Sequence, residues 1–211
     1  MGGIELKPII FSTPMVRALI RSHNPKTQTR RIVKPQPVLM RGGESEFDAG
    51  DYWHWNDYQW LDGDLGVPES AIEDYAPYKV GDVLWVRETW NKACGNIPCD
   101  MGMCQDKEGY IYKADIYGDV PVKSWKPSIH MPKEAARLFL KVTDVRVERL
   151  QDINYVHGDI WAEGIPAVHD RNSEENAFIE LWDSINAKRG YGWDKNPFVW
   201  VISFERIRDV P

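Results

Sequence analysis

The chain has 211 residues, of which 43% are hydrophobic and 27% charged, with a formal net charge of −6. That balance excludes intrinsic disorder and argues against indiscriminate nucleic-acid binding. No apolar run reaches the length of a membrane span, and three cysteines argue against a disulfide framework, so the expectation is a cytoplasmic globular protein.

Charge is unevenly placed. Residues 7–41 hold eight basic and no acidic residues, and residues 44–74 hold ten acidic and no basic ones. Two mutually attracting solvated faces explain this, and so does an anion-binding first segment. Ten tryptophans are mostly core by their size, and one or two beside a basic cleft suit base stacking.

"KPIIFS" (7–12) predicts a strand. "TPMVRALIRS" predicts a helix with Thr13 as N-cap, Pro14 at the first position, and Met15, Val16, Leu19 and Ile20 on one face. "SHNP" breaks it. "TQTRRIV" predicts a strand with Thr27, Thr29 and Arg31 on one face and Arg30 on the other. Residues 35–80 have no sustained period and read as a long acidic, Trp-rich insertion. "GDVLWVRETW" (81–90) is a turn and a strand. Residues 91–108 form a second insertion. "GYIYKAD" is a short strand, "WKPSIHMP" a loop, and "ARLFLKVTDVRVERL" (136–150) the longest strand. A helix from near Asn154 ends at Gly164. Another has an Asn172/Glu175 capping-box spacing, a buried stripe of Phe178, Leu181, Trp182 and Ile185, and its end at Gly190. "PFVWVISFERI" (197–207) is the last strand. The expected class is α+β: a small mixed or antiparallel barrel with peripheral helices and two long insertions, in one domain spanning 1–211.

The chain lacks a P-loop, a dinucleotide fingerprint, H-E-x-x-H and G-x-S-x-G. Cys94, Cys99 and Cys104 do not have zinc spacing. A metal there would need a fourth ligand such as His130, and three free thiols is the simpler reading. No metal or cofactor is expected. In "KTQTRR" (26–31), Lys26 can act as base for the Thr29 hydroxyl only if Lys26 lies in the loop before the strand. Glu163, before Gly164, puts a negative charge at a helix C-terminus. That opposes the macrodipole by about 0.3–1 kcal/mol. A solvated glutamate tolerates this; a carboxylate holding the lysine would explain it.

Together, "KPIIFSTPMVRALI…KTQTRRIVKPQP", "GDVLWVRETW", "WKPSIHMP", "LKVTDVRVERLQDI…AEGI", "FIELWDSINAKRG" and the stretch from Trp193 through "KNPFVWVISFE" resemble the ASCH domain family of the PUA-like superfamily. The likeness is to its longer phage and prophage members, and it covers Lys7 to about Ile207. The resemblance implies a small PUA-like β-barrel with peripheral helices and a cleft for RNA or a modified nucleobase. One short member type is an amidohydrolase that deacetylates N4-acetylcytidine, with a K-T-x-T-x-R motif matched here by Lys26, Thr27, Thr29 and Arg31. It implies Lys26, Thr29 and Glu163 as catalytic residues and Thr27, Arg30 and Arg31 as substrate-binding residues. Thr29 would attack the acyl carbonyl, Lys26 would carry the proton, and Glu163 would position Lys26. Arg31 or a backbone amide would stabilise the oxyanion. The chain is about twice the length of a minimal domain of ~100 residues. The expected partner is a modified nucleoside or RNA, with no membrane; oligomeric state is left open. The alternatives are a non-catalytic RNA-binding module, a reader of modified bases, or a phage accessory protein. A nuclease would need a carboxylate cluster for a metal, and none is evident in the sequence.

Overall fold

The computed structural model describes residues 6–40, 52–54, 67–68, 72, 74–92, 109–117, 122, 124–153, 159–166 and 170–208. Cys94, Cys99 and Cys104, Trp55 and Trp60, and the expected helix start at Asn154 lie outside them. The chain divides into two compact units. The first comprises Met1–Thr27, Asp82–Lys141 and Glu205–Pro211; the second comprises Gln28–Gly81 and Val142–Phe204.

In the first unit, strand β1 (Leu6–Ile10) pairs in parallel with β6 (Val83–Arg87), from Leu6 opposite Val83 to Ile10 opposite Arg87. β6 pairs antiparallel with the start of β9 (Phe139–Arg149), Leu84 opposite Leu140. Residues 83–86 are buried on both faces, as expected of a central strand without polar alternation. Helix α1 (Thr13–Ile20) buries Val16, Ala18 and Leu19. Its N-cap is Ser12 rather than the expected Thr13, which is the first helical residue, and Pro14 stands in the first turn. Strands β7 (Trp90–Lys92) and β8 (Tyr110–Tyr112) pair antiparallel. Trp90 packs there with Met131 and Ala135.

In the second unit, β2 (Gln28–Ile32) pairs antiparallel with β10 (Phe198–Ile207), Ile32 opposite Val199 and Gln28 opposite Ser203. Helices α2 (Asp159–Ala162) and α3 (Arg171–Asn186) cover one face of β10. Their core joins Leu150, Ile153, Ile160, Ile165, Phe178, Trp182, Val199 and Val201. Within 35–80, β3 (Val38–Met40), β4 (Tyr52–His54) and β5 (Val67–Pro68) form a small antiparallel sheet. Trp53 of β4 packs edge-on against Phe198, with ring centroids 4.9 Å apart.

Two details of α3 differ from expectation. Its N-cap is Asp170, whose carboxylate accepts the Asn172 and Ser173 amides, each at 3.2 Å. Its buried stripe runs Glu174, Phe178, Trp182 and Asn186, while Ile185 is exposed. Strict four-residue spacing sets that stripe, and Glu174 is accommodated by accepting the Trp161 indole N–H at 2.9 Å.

The main sheet has the strand order β1-β6-β9-β10-β2, and β9 and β10 belong to both units. The architecture is mixed α+β with a mostly sheet core and few helices. The order ends on β1 and β2, and no pairing among the described residues closes it into a barrel.

Candidate functional site

The "KTQTRR" stretch begins at Lys26, with residues 21–25 between it and the end of α1 at Ile20. Asn24 takes a left-handed conformation (φ 45°), and the Lys26 amide donates to the Ala18 carbonyl at 2.9 Å. Lys26 thus lies in the loop before the strand, as a base for Thr29 requires. Its side chain is buried, with Nζ 5.8 Å from the centre of the Phe11 ring. Thr27 is exposed and precedes β2.

From Gln28 the strand alternates. Gln28, Arg30 and Ile32 share the face of Ser203, Val201 and Val199, their partners in register. The Gln28 amide donates to the Ser203 hydroxyl at 3.3 Å. Thr29 and Arg31 turn to the opposite face, with Ile202 and Trp200 as register partners. The sequence assigns these two faces in the same way. Thr29 is buried; Arg31 is half-buried at its surface, and burial of its guanidinium draws its pKa down. Tyr78 and Glu163 oppose that shift, so Glu163 acts on the charge of Arg31 as well.

Arg30 is the centre of the polar cluster. Its side chain is 1% exposed. Nη1 donates to Gln28 Oε1 at 2.8 Å and Glu163 Oε1 at 3.0 Å. Nη2 donates to Glu148 Oε2 at 3.1 Å and Asp159 Oδ2 at 3.4 Å. Arg146 donates to the other oxygen of Glu148. Nε of Arg30 is buried without a hydrogen-bond partner. An unsatisfied buried donor costs about 1–3 kcal/mol. Glu163 is buried too; it follows α2, with its amide on the Asp159 carbonyl at 2.9 Å and Gly164 turning the chain at φ 95°. The charge that looked costly in the sequence is therefore met by a guanidinium.

The structure brings Arg30 and Glu163 into direct contact within the second unit. It places Thr29 and Arg31 on the other face of the same strand and Lys26 in the first unit. Sequence reasoning missed Gln28, Glu148 and Asp159. Spacing pointed to two of them: Asp159 lies four residues before Glu163, and Gln28 lies two before Arg30 on a strand; Glu148 had no such local signal.

A second cluster is closed upon itself. Arg137 donates to both oxygens of the buried Glu88, at 2.8 and 3.0 Å, and to both of Asp115, at 2.5 and 2.9 Å. Burial pushes the Glu88 carboxyl up against the pull of Arg137. The guanidinium lies 3.9 Å from the Tyr112 ring centre, and the Tyr112 hydroxyl donates to the Ala135 carbonyl at 2.7 Å.

No helix among the described residues is long and apolar enough to cross a membrane. No group of three or more His, Cys, Asp or Glu among them is placed to hold a metal ion. No family model, no curated protein and no solved structure matches the chain.

Proposed function

We propose that this protein binds an N4-acylated cytosine, free or in RNA, and hydrolyses its exocyclic amide at Lys26, Thr29 and Glu163, as a PUA-like domain of the ASCH type. The observation that carries this reading is where polarity is buried. Of nine buried polar or charged residues among the described residues, five are Lys26, Gln28, Thr29, Arg30 and Glu163. Burying such groups is costly, and a core built for stability alone would not place Gln28, Thr29 and Arg30 in succession on one strand with the buried Glu163 as carboxylate partner of Arg30.

In this reaction the Thr29 hydroxyl attacks the acyl carbon, and Lys26 accepts its proton. The tetrahedral oxyanion is stabilised by Arg31 or a backbone amide. Lys26 returns the proton to the exocyclic nitrogen as the C–N bond breaks, leaving cytosine with its free amine and an acyl ester on Thr29. Water, deprotonated by Lys26, hydrolyses that ester to the carboxylic acid and restores the threonine. Thr27 and Arg31 contact the base or its phosphate. A second reading, binding without turnover, is favoured by the alternation that turns Thr29 away from the face of Arg30, the partner of Glu163.

Incubation with N4-acetylcytidine, with cytidine release followed by chromatography, tests the proposal. The wild type is expected to release cytidine, and Lys26→Ala and Thr29→Ala to lose roughly 100-fold or more in rate. Salt-dependent RNA binding without any release selects the second reading. Neither release nor binding overturns both.

A further inference from the structure

Arg30 occupies a motif position that the K-T-x-T-x-R pattern leaves unspecified. A substrate-binding arginine must present donors to the ligand. Here the four terminal N–H groups already have four protein acceptors, on Gln28, Glu163, Glu148 and Asp159, and the side chain is 1% exposed. Nor is stability a sufficient reason for it, because a buried ion pair often does no better than apolar packing. This one also leaves Nε without a hydrogen-bond partner. Its geometry does one thing well. Gln28, Glu148 and Asp159 fix the plane of the guanidinium from β2, β9 and α2, and the remaining donor then fixes Glu163 Oε1. Glu163 directly follows the last residue of α2, Ala162, so its carboxylate leaves the helix where the chain turns at Gly164.

We propose that Arg30 is a positioning residue, which holds the Glu163 carboxylate in the orientation it works in and does not touch the substrate. This rests on the reading of Glu163 as part of a hydrolytic site.

The experiment compares Arg30→Met, Arg30→Lys, Glu163→Gln and Arg30→Met/Glu163→Gln with N4-acetylcytidine as substrate, alongside titration of the Glu163 side chain by carboxyl-carbon NMR. The expected result is at least a tenfold fall in kcat for Arg30→Met with KM within twofold. Arg30→Lys, which keeps the charge and loses the fork, should recover part of that fall. The double variant should be no slower than Glu163→Gln alone. Removing the guanidinium should also raise the Glu163 midpoint by about one pH unit or more, while Arg31, Tyr78, Glu148 and Asp159 remain in place. A rise in KM at constant kcat, or additive losses in the double variant, overturns the proposal. So does an unchanged Glu163 midpoint in Arg30→Met. If Arg30→Met does not fold, Arg30→Lys decides by the same split between kcat and KM. If the wild type releases no cytidine, the hydrolase reading fails, and the titration still decides whether Arg30 governs Glu163.

Discussion

Tyr112 and Arg30 show how differently single polar side chains are kept inside this protein. The Tyr112 phenol has one acceptor, the Ala135 carbonyl, and a guanidinium over its ring. Burial pushes its pKa up to about 12, from 10.0, against the pull of Arg137. The unfolded chain thus releases this proton near pH 10 and the folded chain does not. The contribution is fully present below pH 10 and is lost as pH rises towards 12, at most about 1.4 kcal/mol per pH unit. Ultraviolet titration of wild type against Tyr112→Phe should show one tyrosine missing from the late-ionising class. The variant's stability should also fall less steeply between pH 10 and 12, and equal slopes would refute this assignment. Arg30 instead directs its terminal donors to three carboxylates and the Gln28 amide oxygen, and that is why its role is assigned to Glu163 rather than to a ligand.

Helix ends are the element-scale features most open to reading from sequence, because their chemistry is local. Gly190 was expected to stop the helical segment, and it does so at φ 84° after a 3-10 turn over Ala187–Arg189. A Cβ at Gly190 would meet no atom within 4 Å, so the cost of a side chain there is conformational alone. Gly190→Ala should lower stability by about 1–2 kcal/mol in urea titrations, and Gly190→Asn by less, since asparagine tolerates the left-handed region. Equal losses for both would point to crowding instead. The start of α3 was less legible. Asp170, Asn172 and Ser173 all have capping side chains within four residues, and the choice of Asp170 depends on where the incoming chain is extended. Ile185 lies outside the buried stripe, because the stripe follows four-residue steps from Phe178 to Trp182 to Asn186.

At the scale of the whole molecule, β9 and β10 are the common members, each running through both compact units. Leu140 on β9 and Ile202 on β10 are fully buried, one in each unit. Each substitution to alanine should cost about 2–5 kcal/mol. Because the strands are continuous, we expect both variants to move one common unfolding midpoint, with tryptophan fluorescence and circular dichroism coinciding. Two separated transitions, each sensitive to one variant only, would show that the units unfold independently.

The strands over 6–10, 28–32, 83–87, 139–149 and 198–207, the helix after Pro14 and the two faces of β2 were legible in the sequence. Apolar period, proline and glycine placement and strict two-residue alternation are properties of the local chain. The small sheet of β3, β4 and β5 was not, because its strands have only two or three residues, too few to show a period. The open order of the main sheet and the partners of Arg30 were decided only by tertiary structure. Glu148, Asp159 and Glu163 lie 118, 129 and 133 residues from Arg30 along the chain. Sequence alone marked Glu163 as a charge in a costly place; which cation meets it depends on the packing of α2 and β9 beside β2. Such a pairing offsets the desolvation of charges that the fold buries together, and no local pattern of residues encodes it.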